Sequence, residues 1–460
     1  MRFHFIGIGG IGMSSLAMFL ADEGHEVYGS NYEQNEMTVI LENRGIEVFI
    51  NHNYDNWKNP DYIIRSTAIK DDNPEIKRGI VENKRIIFRM ELLKKILRKR
   101  ESLGITGTDG KTTTTALVSC LLNEYLNTGV FLGGNYNFLP NSNYKHGKDI
   151  LVSEIDESDG FFATVRPKHA IITNIRFDHL EHYSENKKNL YNSFKMYSKN
   201  LSGIVIYNAD DENAREIFAR NGISFGKNNG FYRFYDRKID KTAQIFKLKR
   251  GDESLGEFRI NLPGEFNVYN AVASIAFCIE YGMDIDLIKE KIPMLKSVDR
   301  RFTIKSTKNS NNNIIIDDYA HTPDEIRCTI TAAKEAFPDN KTCIVFQPHR
   351  YSRLKRENGN FAKSLSFADE VCVYKLYEAY ERIKNDVNEH EIVRGLLEKN
   401  IPVVHAADFF EIDEWINLKR NSVIIFMGAG DIIKASRNYL NRYCSEENDK
   451  CGVENVKTMQ

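Results

Sequence analysis

The residues with the clearest chemical potential lie in a glycine- and threonine-rich segment from Gly104 to Thr115, GITGTDGKTTTT. The segment joins an apolar run typical of a strand to a run typical of a helix, so backbone N–H groups at the helix start can bind anionic oxygens. Lys111 supplies a cation for terminal phosphates, and Thr112 supplies a hydroxyl for Mg²⁺. The spacing departs from a strict Walker A motif because Ile105 stands where the first glycine belongs. We predict a nucleotide-phosphate site that uses ATP; the alternative is an ordinary strand-to-helix turn.

Acidic side chains end the apolar run at residues 151–159, LVSEIDESD. Four carboxylates this close together are costly unless cations or solvent neutralise them. Because Mg²⁺ prefers oxygen ligands and completes its shell with phosphates and water, we predict a metal site that includes Glu154. A solvated acidic turn is the alternative. His179, beside Asp178 after the next predicted strand, is a candidate metal ligand or phosphate contact, although a lone histidine is more often a satisfied polar group.

A second glycine pattern opens the chain, where a short apolar run leads into Gly7-x-Gly9-x-x-Gly12. In this strand-to-helix setting the pattern is typical of dinucleotide-binding turns. An NAD enzyme places an acidic residue at the end of the second strand, where this chain has Asn31. We therefore predict a pyrophosphate-binding turn here, and an NAD-dependent oxidoreductase remains the alternative.

Polar side chains also follow two apolar runs in the last third of the chain, at residues 316–324 (IDDYAHTPD) and 346–353 (FQPHRYSR). Thr322 and Pro323 are predicted as the N-cap and first residue of a helix that ends near Phe337. Ligands bind at the carboxyl ends of parallel strands, so these segments are candidate ligand contacts. Surface polarity is the alternative for each of them.

The elements that must position these residues alternate between strand-like and helix-like runs, which indicates parallel sheets with crossover helices. Strands are predicted at residues 2–7, 26–29, 46–50, 62–66, 85–88, 149–153, 170–174, 204–208, 314–316, 342–346, 370–374, 403–404 and 423–427, with an antiparallel section between 227 and 257. Helices are predicted at residues 11–22, 90–101 and 271–281. A chain of 460 residues is too long for one core, so we predict three α/β units.

Composition narrows the class of protein. The chain has 42% hydrophobic and 28% charged residues, and its net charge of −1 gives no basic field for nucleic acid. Its seven cysteines are scattered and mostly lie in apolar runs, which indicates reduced, buried thiols. No apolar run approaches the length of a membrane span, and a strand already begins near residue 3, so we expect a cytoplasmic protein with no membrane or nucleic-acid partner.

Taken together, the motifs resemble the Mur ligase family of bacterial cell-wall synthesis. The resemblance keeps the family's motif order over nearly the whole chain, at residues 7–14, 66–74, 107–114, 154–159, 174–179, 263–270, 300–302, 317–323 and 347–353. The segments GIGGIGMS and QPHRY are similar to the alanine-adding branch. The resemblance implies an α/β fold of three domains. These would be a Rossmann-like UDP-sugar domain at 1–96, a central P-loop ATPase-type domain at 97–298, and a Rossmann-like domain at 299–460 that closes over ATP and the amino acid.

The resemblance also implies an activity. The protein would use ATP and Mg²⁺ to join L-alanine to the lactyl carboxylate of UDP-N-acetylmuramate through an acyl phosphate, in peptidoglycan precursor synthesis, as a monomer or weak homodimer. Other readings stay open: a related ligase that adds a different amino acid or a recycled peptide to the same sugar nucleotide, and a non-catalytic nucleotide sensor with the same fold.

Site residues follow from the same resemblance. The UDP-sugar would be bound by Gly9, Gly10, Ile11, Gly12, Ser30, Ser66, Thr67 and Ala68. ATP would be bound by Gly107, Thr108, Asp109, Gly110, Lys111, Thr112, Thr113, Asn270, Arg301 and Asp317. Lys111, Glu154 and His179 would be catalytic, and Thr112, Glu154 and His179 would organise the metal. Tyr319, His321, His349 and Arg353 would shape the region for the lactyl carboxylate and the amino acid.

Several residues depart from the family pattern. Asp109 replaces a histidine, Asn31 replaces an aspartate, Arg176 stands where a glutamate is common, and Phe266 replaces a histidine. Phe194 occupies the position that carries a carbamylated lysine in later members of the family, which fits the alanine-adding branch. None of these departures removes the phosphate loop or the expected metal ligands, so we predict an active ligase.

Overall fold

The computed structural model describes residues 1–157, 161–176, 183, 186–306, 311–379, 381 and 387–443. Its strands form three sheets that follow one another along the chain. Two compact units contain them: one covers residues 1–238, 245–261 and 266–298, and the other covers the remaining described residues. The predicted α/β class is confirmed.

The first sheet is parallel and has the strand order β3-β2-β1-β4-β5. Its strands are β1 (Arg2–Ile6), β2 (Glu26–Asn31), β3 (Glu47–Ile50), β4 (Tyr62–Arg65) and β5 (Arg85–Phe88). Its helices are α1 (Ile11–Asp22), α2 (Glu36–Asn43), α3 (Pro74–Val81) and α4 (Arg89–Leu97). The chain reverses its direction across the sheet beside β1, and such a reversal opens a crevice at the carboxyl ends of the strands.

The second sheet has the order β15-β14-β13-β12-β11-β10-β6-β9-β7-β8. Its strands are β6 (Ser102–Thr106), β7 (Thr128–Phe131), β8 (Tyr144–Lys145), β9 (Ile150–Glu154), β10 (His169–Ile172), β11 (Val205–Asn208), β12 (Ile223–Gly226), β13 (Tyr232–Asp240), β14 (Ala243–Arg250) and β15 (Glu253–Ile260). Its helices are α5 (Lys111–Asn123), α6 (Lys187–Ser198), α7 (Glu212–Phe218), α8 (Glu265–Glu280) and α9 (Ile285–Lys291). Because β6 lies between β9 and β10 and is parallel to both, the ends of these three strands meet at one edge.

The third sheet has the order β16-β17-β21-β18-β19-β20 and is parallel except for β16. Its strands are β16 (Thr303–Ser306), β17 (Ile314–Asp318), β18 (Lys341–Phe346), β19 (Glu370–Tyr374), β20 (Val403–Ala406) and β21 (Ser422–Met427). Its helices are α10 (Pro323–Ala336), α11 (Tyr351–Glu357), α12 (Asn360–Leu365), α13 (His390–Leu397), α14 (Phe409–Asn417) and α15 (Ile432–Tyr443). Thr322 caps α10 and Pro323 is its first residue, which confirms that prediction.

Two helices differ from their predicted limits. The helix predicted at 90–101 ends at Leu97, because the chain must turn into β6 and the Ser102 hydroxyl donates to the Leu97 carbonyl, 3.0 Å away. The helix predicted at 271–281 begins earlier, directly after Gly264, whose φ of +87° suits glycine at the helix entrance. Strands β7, β8, β12 and β16 were not predicted, because each is short and lacks a long apolar run.

Buried apolar side chains line both faces of the sheets, and α5 is buried along most of its length. In the part of the chain that the structure describes, Cys278, Cys343 and Cys372 are buried, Cys120 and Cys328 are half-buried, and none of the five is in a disulfide. No helix of the described residues is long and apolar enough to cross a bilayer.

Candidate active site

The phosphate loop connects β6 to α5 and depends on two glycines with positive φ. Gly107 has φ of +127°, and a Cβ there would lie 2.3 Å from Thr173 Oγ1 and 2.6 Å from the Asn174 carbonyl oxygen. Gly110 has φ of +81°, and a Cβ there would lie 2.4 Å from Asn270 Oδ1. Side chains at either position would be strained and would also collide with a neighbour, so the loop requires glycine at both.

The loop is tied to the segment after β10. The Asp109 N–H donates to Asn174 Oδ1 at 3.0 Å, and Asn174 Nδ2 donates back to the Asp109 carbonyl at 3.1 Å. The Thr108 N–H donates to the Asn174 carbonyl at 3.2 Å, and the Arg176 N–H donates to Thr108 Oγ1 at 2.9 Å. An Asp109–Arg176 ion pair of 3.2 Å joins the same segments. The loop is therefore held in shape by the neighbouring strand end.

Lys111, the first residue of α5, folds back over the loop. Its Nζ donates to the carbonyls of Gly107 and Thr108, at 2.7 and 3.1 Å, and lies 2.9 Å from Glu157 Oε2. Burial alone disfavours the ammonium, but the charge of Glu157, followed by those of Asp156 and Glu154, raises the pKa of Lys111 above its usual value. The lysine is thus a fixed cation over the loop.

Carboxylates collect at the end of β9, beside the loop. Glu154 is the last residue of β9, and its Oε2 accepts a hydrogen bond from the Gly133 N–H at 3.1 Å. Thr112 is buried at the start of α5. With Asp156 and Glu157 close enough to act on the charge of Lys111, carboxylates outnumber the lysine here, so a further cation fits this donor set. His179, Asp178 and Asp159 lie outside the described residues.

Asn270 contacts the loop from α8. Its Oδ1 accepts from Thr114 Oγ1 at 3.2 Å, and its Nδ2 donates to Asn267 Oδ1 at 3.2 Å. Because Gly110 has no side chain, the Asn270 amide can lie directly against the entrance of α5, in the space that a Cβ would need. Thr113, which precedes Thr114 in α5, is also buried.

The glycine turn after β1 is held by the end of β2. The N–H groups of Gly7 and Ile8 both donate to the Ser30 carbonyl, at 2.8 and 2.9 Å. The Gly9 N–H donates to Asn31 Oδ1 at 3.1 Å, so the residue that replaces the expected acid has a role in shaping the turn. The Ser30 side chain is buried and donates instead to Glu75 at 2.5 Å. Gly10 is the N-cap of α1 and is exposed.

Ser66, Thr67 and Ala68 form the turn that follows β4. A Cβ at Gly7 would lie 4.0 Å from Ser66 Oγ, so the turn after β4 lies beside the glycine turn after β1. This is expected because β1 and β4 are neighbours in the sheet. Thr67 and Ala68 are exposed, and Ser66 is half-buried.

A cavity of about 210 Å³ lies between the first two sheets. Its lining includes Gly12 from the glycine turn, Glu154 from the end of β9, Arg89 and Asp156. Arg89 Nη2 is 3.7 Å from Asp156 Oδ2, and a Cβ at Gly12 would meet Arg89 Nη1 at 2.4 Å. Arg89 was not among the residues predicted from the sequence, although its place directly after β5 could have indicated a ligand contact.

The second unit has polar residues at the end of β17. Asp318 is buried and accepts from the N–H groups of Phe302 and Ala320, at 2.7 and 2.8 Å. Burial raises the pKa of Asp318 to about 6 and also raises the pKa of Asp317. The guanidinium carbons of Arg300 and Arg301 each lie 4.8 Å from the centre of the Tyr319 ring.

Four predicted residues, which follow the carboxyl ends of β17 and β18, lie close together. His321 Nδ1 is 3.0 Å from the Tyr319 carbonyl oxygen, and its ring centre is 6.3 Å from that of His349. His349 stacks on Tyr377 at 5.6 Å, and its Nδ1 is 3.3 Å from Arg353 Nη1. Burial and the charge of Arg353 lower the pKa of His349 to about 3, so this imidazole is neutral near pH 7.

Comparisons with known proteins agree with these features. Family models described as the Mur ligase family catalytic domain, the Mur ligase middle domain and the Mur ligase glutamate ligase domain match residues 2–101, 105–278 and 300–430. The UDP-N-acetylmuramate–L-alanine ligase of Thermotoga maritima is 40% identical over 456 residues, 98% of this chain and 99% of that protein.

Solved structures are similar as well. The crystal structure of UDP-N-acetylmuramate–alanine ligase from Thermotoga maritima has a TM-score of 0.86 and 38% identity, covering 96% of this chain and 99% of that chain. The MurF ligase of the same organism, solved in complex with ADP, has a TM-score of 0.61 and 18% identity, covering 90% and 94%, and this likeness concerns the fold alone.

Proposed function

Because the chain belongs to the Mur ligase family, we propose that it is the ATP-dependent ligase that joins L-alanine to the lactyl carboxylate of UDP-N-acetylmuramate in peptidoglycan precursor synthesis. The observation that carries the proposed chemistry is the position of Lys111, a fixed cation over a phosphate loop at the end of β6. The identity of 40% over nearly the full length supports the choice of substrates within the family.

We propose that the phosphate groups of ATP bind the loop from Gly107 to Thr113. The open N–H groups at the start of α5 attract negative charge, and Lys111 exchanges its contact with Glu157 for the terminal phosphates. Asn270, against the same helix start, is placed to contact the remainder of the nucleotide. Arg301 and Asp317 are proposed as further nucleotide contacts.

The donor set at this edge fits Mg²⁺. Glu154 and the Thr112 hydroxyl would hold the ion, together with His179, and when bound it would neutralise charge on the phosphates. The carboxylates near Lys111 supply the negative potential that makes this edge attractive to a dication. Lys111 itself stabilises the charge that spreads over the transferring phosphoryl group.

The sugar nucleotide is proposed to bind the first sheet. Its pyrophosphate would lie on the turn from Gly9 to Gly12, with Ser66, Thr67 and Ala68 nearby and Ser30 supporting the turn through its backbone. The cavity from Gly12 to Glu154 then leads the lactyl carboxylate toward the phosphate loop, and Arg89 offers a cation along that path. This arrangement orients the carboxylate for attack on the γ-phosphorus, which forms the acyl phosphate and releases ADP as its bond to the bridging oxygen breaks.

The second step requires a free amine to attack the acyl phosphate, with loss of phosphate and formation of an amide. We propose that Tyr319, His321, His349 and Arg353 bind the amino acid. His349 is neutral near pH 7, so it can accept a hydrogen bond there, while Arg353 supplies the cation for a carboxylate. Acyl phosphates hydrolyse readily, so the reaction demands exclusion of water.

We further propose three domains, at residues 1–96, 97–298 and 299–460, of which the last closes during the reaction. We also propose that the protein is a monomer or weak homodimer and that it acts in the cytoplasm, where ATP and UDP-sugars are available.

Phosphate release from ATP and Mg²⁺ tests the function directly. We expect release that requires both UDP-N-acetylmuramate and L-alanine, and that Lys111→Ala abolishes, whereas the exposed Lys148→Ala retains it. Release stimulated by another amino acid or by a peptide would move the specificity to the related ligases. No release with any pair, together with retained ATP binding, would favour the nucleotide sensor.

A further inference from the structure

Three metal-binding side chains meet in the second unit, where α13 begins and β20 ends. Glu389 precedes α13, His390 is its first residue, and His405 lies within β20. The helix connects β19 to β20, which are parallel, with Val373 opposite His405. A crossover helix runs antiparallel to its strands, so its first residues lie beside the carboxyl end of the following strand. The topology therefore brings residues distant in sequence into contact.

Their spacing fits a shared ion. One ligand atom from each residue lies within 4.8 Å of the other two. His405 Nε2 is 3.3 Å from Glu389 Oε1, and the ring centres of His390 and His405 are 4.4 Å apart at an interplanar angle of 39°. Ligand atoms on a tetrahedral zinc ion are roughly 3.4 Å apart, since each lies about 2.1 Å from the metal. The Glu389–His405 pair already has this spacing.

We propose that Glu389, His390 and His405 form a binding site for Zn²⁺ or a similar transition-metal dication. Two imidazoles and a carboxylate are a common zinc ligand set, and three protein ligands leave a fourth position for water. Mg²⁺ prefers an octahedral shell of oxygen atoms, so this donor set selects against the ion of the ligase reaction. None of the three residues is assigned to that reaction.

Two of the three proposed ligands are partly buried, which restricts their side chains. The side chains of Glu389 and His405 are 15% and 26% exposed, so the pair is held in place before an ion arrives, while His390 is exposed and reachable from solvent. Ligation would fasten the start of α13 to β20. Because a ligand that binds only the folded state stabilises it, the melting temperature should rise with metal concentration.

Co²⁺, whose visible absorption reports its ligands, is the probe that we would use first. The full chain, treated with EDTA and dialysed, is titrated with CoCl₂ in the absence of ATP and Mg²⁺, and Zn²⁺ binding is then measured by calorimetry. We expect the wild-type protein to bind one metal ion per chain at this site. The affinity for that ion should fall at least about tenfold in His390→Ala and in His405→Gln. Glutamine at 405 keeps a hydrogen-bond partner for Glu389.

His146→Ala is the matched control, since His146 is also half-buried and lies 3.1 Å from Glu23 Oε1 without a second histidine in that pair. His146→Ala should bind the metal ion with the same affinity as the wild-type protein. Equal affinity and spectrum in wild type and His405→Gln, or no binding by wild type, would overturn the proposal and leave an ordinary hydrogen-bonded Glu389–His405 pair. Melting curves in EDTA verify folding, and exposed His390→Ala decides the matter if His405→Gln does not fold.

Discussion

Asp109 and Arg176 form an ion pair across the phosphate loop, with Oδ2 and Nε 3.2 Å apart. In the family pattern these positions usually hold a histidine and a glutamate, so both residues looked like separate departures in the sequence. The structure shows that they contact each other, with the acid and the base exchanged between the two positions. We interpret the pair as one coupled change that preserves a link between the loop and the segment after β10.

Arg176→Ala should therefore weaken ATP binding more than it slows the chemical step. The pair is partly exposed, so its loss should cost about 0.5–1 kcal/mol, a two- to fivefold rise in KM for ATP. Asp109→Ala should have a similar effect without adding to it, because the two changes remove one interaction. Steady-state kinetics at low and high salt measure this, and the effect should shrink at high salt. The exposed Arg220→Ala is the control; additive effects of the two alanine changes would contradict the coupling.

Stability and activity should separate at Lys111. Lys111→Ala breaks the ion pair with Glu157, whose side chain is 3% exposed, and breaking such a buried pair costs about 3–5 kcal/mol. We expect Lys111→Ala to lower both the melting temperature and the rate of phosphate release. Lys111→Ala combined with Glu157→Gln should recover much of the stability and none of the activity. Thermal melts and phosphate release give the two readouts; parallel recovery of both would show that Lys111 acts only through folding.

Gly110 and Gly24 allow a matched comparison. Their φ angles are +81° and +79°, but a Cβ would meet Asn270 Oδ1 at 2.4 Å in the first case and nothing within 4 Å in the second. Alanine at either position should cost about 1 kcal/mol of conformational energy. Only Gly110→Ala should also lower the affinity for ATP, by about tenfold or more, because it displaces Asn270 at the entrance of α5. Nucleotide titration by fluorescence or calorimetry checks this, and equal ATP affinity in the two variants would count against a role for this contact.

Much of this site could be predicted from the sequence, because apolar runs locate strands and ligand residues follow their ends. The loop around Lys111 and the polar turn after β17 were predicted in this way. The partners of these residues could not be predicted from the sequence. Glu157 contacts Lys111 although the two are 46 positions apart. The direction of the side chains after β9 decides which carboxylate of the acidic cluster contacts the lysine. Arg89 was missed because a single arginine after a short strand has no motif, and its place in the cavity depends on how two sheets pack.

The buried Glu75 predicts an acid-dependent loss of stability. Burial opposes its ionisation, but the nearby rings of His4 and His52, at 3.3 and 3.6 Å, and a hydrogen bond from Ser30 lower the pKa of Glu75 to about 2. Since this lies below the unfolded value near 4.5, the stabilisation is complete above pH 4.5 and is lost as the pH falls toward 2. The total is about 3 kcal/mol. Urea unfolding from pH 5 to 2.5 should show a shallower loss in Glu75→Gln than in wild type; parallel curves would contradict the assignment.

His349 should remain neutral across the physiological range. Burial and the charge of Arg353 lower its pKa to about 3, so its ring signals in NMR spectra should not titrate above about pH 4. Arg353→Met removes the nearest positive charge and should raise the pKa of His349 toward its usual value. A His349 titration near pH 6 in wild type would show that the imidazole is more open to water than the structure has it.

The reciprocal hydrogen bonds between the Asn174 amide and the Asp109 backbone have a consequence for the kinetics of nucleotide capture. The Asn174 amide binds the Asp109 backbone with a pair of hydrogen bonds like those between neighbouring strands. The loop is therefore ordered when the chain folds and not when ATP binds. Binding then requires little further loss of backbone entropy. The association rate should accordingly follow diffusion and charge rather than a slow rearrangement of the loop, and the loop should resist hydrogen exchange even without nucleotide.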